Sequence, residues 1–156
     1  MARRVFFSFD FSRDAWRVGQ VRNSAVITSY DKPPFLDAAK WEEVKSKGRA
    51  AIKDWIDTNM ERTTVTIVLI GADTSNREWV QYEIQKSYAR GNGLLGVRIH
   101  NLKNANGQTD SLGANPFIKA GVGGVPVYDW VNDNGAQNMS TLSLIHISEP
   151  TRLGMI

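Results

Sequence analysis

Residues 63–70, Thr-Thr-Val-Thr-Ile-Val-Leu-Ile, limit the fold of this chain more than any other stretch, because every one but Leu69 is β-branched. Two heavy groups on Cβ stiffen the side chain and favour extended backbone. The apolar character from Val65 onward is nearly continuous rather than alternating, and Gly71 ends it. A strand of that kind is expected to be covered on both faces, as in a parallel sheet flanked by helices.

The rest of the chain alternates around it. Val5-Phe6-Phe7-Ser8-Phe9 reads as a first strand. Asp10 or Ser12 is placed to cap a helix running to about residue 23. Residues 25–28 are expected to form a short second strand, and Pro33-Pro34 marks a loop. Trp41, Val44, Ile52, Trp55 and Ile56 keep helical spacing, and Gly48 between them leaves one helix or two short ones open. Residues 76–90 read as a helix stopped by Gly91-Asn92-Gly93, residues 94–100 as a strand, and residues 125–128 as a short edge strand that tolerates Pro126. This order predicts an α/β fold: a flavodoxin-like three-layer sandwich with a five-stranded parallel sheet in the order 2-1-3-4-5.

Composition narrows the chemistry. The chain of 156 residues has no cysteine and two histidines, His100 and His146. Thiol nucleophiles, Cys-ligated zinc and His-rich metal centres are excluded, and no cofactor is expected. The net charge of +3 suits an anionic small ligand, but no basic run is dense enough to argue for nucleic acid. Nothing approaches the ~20 apolar residues of a membrane span. The apolar run at residues 5–9 is too short for a signal-peptide core, so a cytoplasmic location is expected. Residues 143–156 resemble a translated sequencing-adapter peptide. They are expected to be a non-native tail after a single domain spanning residues 1–142, with a further helix in the natural protein.

Open parallel sheets bind ligands at the carboxyl ends of their strands, where the strand order reverses. That predicts a site near Ser8, Phe9 and Asp10 from the first strand, and near Gly71, Ala72 and Asp73 from the third. The helix that follows carries Ser75-Asn76-Arg77-Glu78, which fits a capping box. Beyond it, Trp79 and Glu83 are four residues apart and share a face, whereas Val80, Ile84 and Tyr88 look like a packing stripe. On these residues alone, Glu83 reads as a solvated helix glutamate and Trp79 as core.

Val5-Phe6-Phe7-Ser8-Phe9-Asp10 with Ser12-Arg13-Asp14 resembles the opening of a TIR domain. Residues 66–75, followed by Trp79-Val80-Gln81-Tyr82-Glu83, resemble the third strand and helix of TIR domains, whose pattern is Trp-Cys-x-x-Glu; Val80 stands where cysteine is usual. Residues 76–96, Asn101-Leu102-Lys103, Asn115-Pro116-Phe117 and Tyr128-Asp129-Trp130 are more similar still to the bacterial TIR-like proteins of the Thoeris anti-phage system. The resemblance covers about residues 3 to 138.

This resemblance implies an enzyme that cleaves the nicotinamide–ribose bond of NAD+, with Glu83 as its catalytic residue. The leaving group departs neutral, so one carboxylate suffices where ordinary glycosidases use two. Trp79 would wall the pocket, Phe9 would stack on a flat ring, and Ser8 would meet ribose or phosphate. Asp10 is divided between capping and ligand contact. The family further implies a cyclic ADP-ribose-type nucleotide that diffuses to a separate effector, a homo-oligomer in the active state, and a loop at Pro33-Pro34 that closes or assembles the site. A non-catalytic TIR module working by homotypic assembly is the competing reading. A phospho-acceptor receiver would use Asp10, Asp14 and Asp73, but the strand at residues 94–100 lacks the required lysine. No Gly-rich turn with Lys-Ser/Thr supports a P-loop.

Overall fold

The structure, a computed structural model, describes residues 5–22 and 38–133. The elements run β1 (Val5–Phe9), α1 (Phe11–Arg22), α2 (Ala38–Ser46), α3 (Arg49–Met60), β2 (Val65–Ile70), α4 (Glu78–Arg90), β3 (Gly93–Arg98), α5 (Pro116–Lys119) and β4 (Val127–Asp129). The described strands form one parallel sheet in the order β1-β2-β3-β4, with Ser8 opposite Val68 and Val68 opposite Gly96. An α/β fold built on a parallel sheet is therefore present. The expected second strand at residues 25–28 lies outside the described residues, as do the Pro33-Pro34 loop and the 143–156 tail.

All six residues of β2 are buried. Val65, Ile67 and Leu69 pack with Val5 and Phe7 of β1 and with Val18 and Val21 of α1. Val68 and Ile70 point the other way, into a cluster with Val80 and Ile84 of α4 and Phe117 of α5. Phe6 meets Val44 of α2 and Ile52, Ile56 and Met60 of α3. Strand periodicity thus sorts one continuous apolar run into two cores. The segment around Gly48 resolves into two helices: Gly48 has φ +97°, a left-handed conformation that ends α2 and turns the chain into α3.

The capping box expected at residues 75–78 does not form. Ser75 lies buried in a 3-10 turn (Thr74–Asn76), and α4 begins only at Glu78, without a side-chain cap. Glu78 faces outward instead and accepts two hydrogen bonds from Arg49, at 2.8 and 2.5 Å. A bidentate guanidinium partner is a stronger attraction for that carboxylate than a single backbone amide.

The segment after β3 is bound back onto α1 and β2. Arg17, buried on α1, donates to the carbonyls of Leu102 (2.8 Å) and Gln108 (2.9 Å) and to Asp14 (3.2 Å). Further along, Gly113 lies so close to β2's end that an added Cβ would sit 2.2 Å from the Gly71 carbonyl oxygen and 2.7 Å from that of Ala72. Among the described residues, no helix is long and apolar enough to cross a membrane.

Backbone atoms cannot yield as a side-chain tip can. Gly113→Ala is expected to destabilise the fold by at least about 2 kcal/mol, read as a lower denaturation midpoint in urea with an unchanged slope. An unaltered midpoint would show that the 111–115 segment does not pack on β2 this closely.

Candidate active site

β1 ends at Phe9 and β2 at Ile70, and α4 starts beside both ends. The buried residues of α4 are Val80, Glu83, Ile84 and Ser87, at the i, i+3, i+4, i+7 spacing of a packed stripe. Glu83 therefore belongs to the inward stripe rather than lying beside it, and Tyr88, expected there, is exposed. At Glu83's level β1 presents Ser8, whose small side chain leaves room for a carboxyl group. Ser8 Oγ donates to Glu83 Oε1 at 2.5 Å. Both residues are buried, Ser8 at 1% and Glu83 at 8% exposure. Burial disfavours the charged form and pushes the Glu83 carboxyl up to about 8, against a smaller opposing pull from the Ser8 hydroxyl. At neutral pH this carboxyl is mostly protonated.

Glu83 opens onto a cavity of about 200 Å³. Its aromatic wall is a run of rings: Phe9 stacks on Phe11 at 5.3 Å between centroids, Phe11 meets Trp41 at 5.9 Å, and Trp41 meets Trp55 at 6.1 Å. Trp79 closes another side, with Tyr82 edge-on at 5.7 Å and the Arg49 guanidinium 5.1 Å above its ring. Lys45 and Arg77 are the cationic residues lining the cavity. Flat rings suit a planar ligand, and their π faces suit a cationic one; Asp10, Ser12, Lys45, Arg77, Glu78 and Glu83 supply the polar part of the lining.

Of the residues expected at the site, Ser8, Phe9, Asp10, Trp79 and Glu83 come together here. Asp10 lines the cavity but is fully engaged. Its Oδ1 accepts from Ser12 Oγ at 3.0 Å at the start of α1, and its Oδ2 accepts from Arg77 Nε at 2.8 Å. Asp73 does not line the cavity. It holds Asn76 Nδ2 at 2.7 Å and pairs with Arg77 at 3.2 Å. Sequence reasoning misses Phe11, Trp41, Trp55, Lys45 and Arg77. Helical spacing assigns Trp41 and Trp55 to packing alone, and that same inward spacing is the signal that could have found them. Val80, at the position where cysteine is usual, is buried against Ile84 and the sheet, a place any compact apolar side chain fills. His100 is buried, and among the described residues its Nδ1 has no partner. Among the described residues no group of three or more His, Asp or Glu could hold a metal ion.

Residues 6–104 match the family model of the Thoeris protein ThsB, TIR-like domain. This chain belongs to that family. Over 119 residues it is also 42% identical to a Bacillus cereus (strain MSX-D12) protein named "putative cyclic ADP-D-ribose synthase ThsB1", covering 75% of this chain and 62% of that relative. The chain thus spans less than two thirds of the relative's length. The matched span of the ThsB TIR-like domain contains Ser8, Glu83 and the whole aromatic wall.

The buried carboxyl should register in stability. Between about pH 4.5 and 8 the folded chain holds a proton on Glu83 that the unfolded chain has lost, so stability falls as pH rises through that window. Asp14, pushed up to about 6 by burial, acts in the same direction but at lower pH. From pH 6.5 to 8 the stability advantage of Glu83→Gln over the wild type should widen by about 1–2 kcal/mol, since a tenfold change in proton affinity is worth about 1.4 kcal/mol. Urea denaturation at both pH values checks this; parallel pH profiles would place Glu83 in water.

Proposed function

We propose that this chain cleaves the nicotinamide–ribose bond of NAD+ and transfers the ADP-ribosyl group to make a cyclic ADP-ribose-type nucleotide in anti-phage defence. The observation that carries this reading is Glu83 itself: a buried carboxyl with no cationic partner among the described residues, held by Ser8 and opening onto an aromatic-walled cavity. The name of the ThsB1 relative supports the reaction class.

The nicotinamide ring of NAD+ carries a positive charge. Seated against Phe9, Phe11 and Trp41, it would be held by ring stacking and by attraction to the π faces. A cation beside Glu83 favours the carboxylate, so substrate entry would draw the proton off. The bond between the anomeric carbon and the ring nitrogen then breaks, and its electron pair goes to the nitrogen. Nicotinamide leaves neutral, without a general acid. Positive charge moves to the ribose, where the Glu83 carboxylate stabilises it in a site that water does not screen. Ser8 keeps the carboxylate aimed, and Trp79 walls the cavity on the same helix. Capture by a nucleophile within the substrate itself, with loss of a proton, gives a cyclic product, and capture by water gives free ADP-ribose. A dry aromatic wall favours the first.

The product would diffuse to a separate effector. A homo-oligomer in the active state is part of the same proposal.

Incubation with NAD+ should release nicotinamide together with a product of ADP-ribose or cyclic ADP-ribose mass. Glu83→Gln should lower the rate at least ~100-fold, the usual cost of removing a principal electrostatic group, without unfolding the chain. Because the ionised form is the active one, kcat/KM should rise with pH up to about 8, the value for Glu83 in the empty site. For kcat the same limb should lie at lower pH, since the bound cation favours ionisation. A Glu83→Gln variant with wild-type turnover, or a kcat/KM flat from pH 5 to 9, would reject this mechanism.

A further inference from the structure

We infer that Arg77 is the residue that binds the pyrophosphate of the dinucleotide, held in place by Asp10 and Asp73; this rests on the reading of the cavity as an NAD+ site. The cavity, as bounded by the described residues, is about 200 Å³. Pockets that enclose a whole drug-sized ligand measure roughly 300–1,000 Å³. The nicotinamide and its ribose fill the space beside Glu83, and the phosphates must cross the rim.

Arg77 lies on that rim, in the extended residue that precedes α4. Its Nε donates to Asp10 Oδ2 at 2.8 Å, and Nη2 lies 3.2 Å from Asp73 Oδ2. Asp10 is 2% exposed and is itself fixed by Ser12, so the guanidinium is anchored to a rigid point. A guanidinium carries five N–H donors in one plane. These contacts engage Nε and one edge of Nη2, and among the described residues Nη1 retains both of its donors. With 43% of the side chain exposed, the open donors form a preorganised fork of the geometry that phosphate oxygens match.

The other cations are less suited. Arg13 is taken up by Asp110 through two hydrogen bonds, and Arg49 by Glu78. Lys45 lies over Trp41 and pairs with the exposed Glu42. A carboxylate beside a pyrophosphate is otherwise hard to explain. Asp10 and Asp73 become intelligible as positioning residues that act through Arg77, and the half-exposed Asp73 can yield Nη2 to an incoming phosphate.

Calorimetric titration with ADP-ribose tests this without turnover. Arg77→Met should weaken ADP-ribose binding about 10–100-fold, the range for a charge-assisted contact, and remove most of its salt dependence. Nicotinamide riboside, which lacks phosphate, should bind the Glu83→Gln and Glu83→Gln/Arg77→Met chains within about twofold of each other. The double variant Asp10→Asn/Arg77→Met does not strand the Asp10 carboxylate without its guanidinium and should reproduce the Arg77→Met pattern, whereas Arg77→Lys should recover part of the affinity. Unchanged ADP-ribose affinity in Arg77→Met, equal loss of both ligands in the double variant, or a wild type that does not bind ADP-ribose at millimolar concentration would each overturn the inference. A chain that binds ADP-ribose through Arg77 yet releases no nicotinamide would reject the catalytic reading and leave this one standing.

Discussion

Strand β2 has no face open to water, and much of the rest follows from that. Its odd-numbered residues demand a helix on one side and its even-numbered residues helices on the other, which α1 and α4 supply. With both faces covered, the ends of the strands are where a ligand can reach the sheet. α4 must lie close against β1 and β2 to bury Val80 and Ile84. That same approach carries Glu83 out of water and onto Ser8. The desolvated carboxyl is thus a by-product of packing the core, and its raised proton affinity needs no separate device.

The charges near the strand ends differ in their partners. Glu83 is buried and has no cationic partner among the described residues, so burial keeps its proton affinity high. Asp10, Asp73 and Arg77 compensate one another, and Arg13 holds Asp110 down to about 2. A ligand with a cationic ring at one end and phosphates further along fits this division. In the proposed arrangement its ring would meet the uncompensated carboxyl of Glu83, and its phosphates would meet the half-exposed guanidinium of Arg77.

Much of the framework was legible in the sequence. β-branching and continuous apolarity marked β2, and helical spacing marked α3 and α4. The rule for parallel sheets points to the ends of the first and third expected strands; Ser8, Phe9 and Asp10 of the first lie at the cavity, whereas Gly71, Ala72 and Asp73 after the third do not line it. The misses share a cause: a side chain's partner across the fold is not visible in its neighbours along the chain. Glu78 went to Arg49, 29 residues away, so the capping box never closed. Trp41 and Trp55 looked like ordinary core because spacing cannot tell a packed face from one that borders a cavity. Glu83 looked solvated because glutamate usually is, although its i+3 relation to Val80 places it in the buried stripe. The catalytic role proposed for it rests on the resemblance to TIR domains rather than on its spacing.

The most direct measurement is the titration of the Glu83 carboxyl itself, by carbon NMR of the labelled side chain, with and without 1-methylnicotinamide, a cation that mimics the ring and cannot be cleaved. In the empty site the carboxyl should titrate near 8, and saturating 1-methylnicotinamide should move the midpoint at least about one pH unit lower, on the order of the effect of a neighbouring opposite charge. A carboxyl that titrates near the ordinary value of about 4.3 in both states would contradict both the burial of Glu83 and the mechanism built on it.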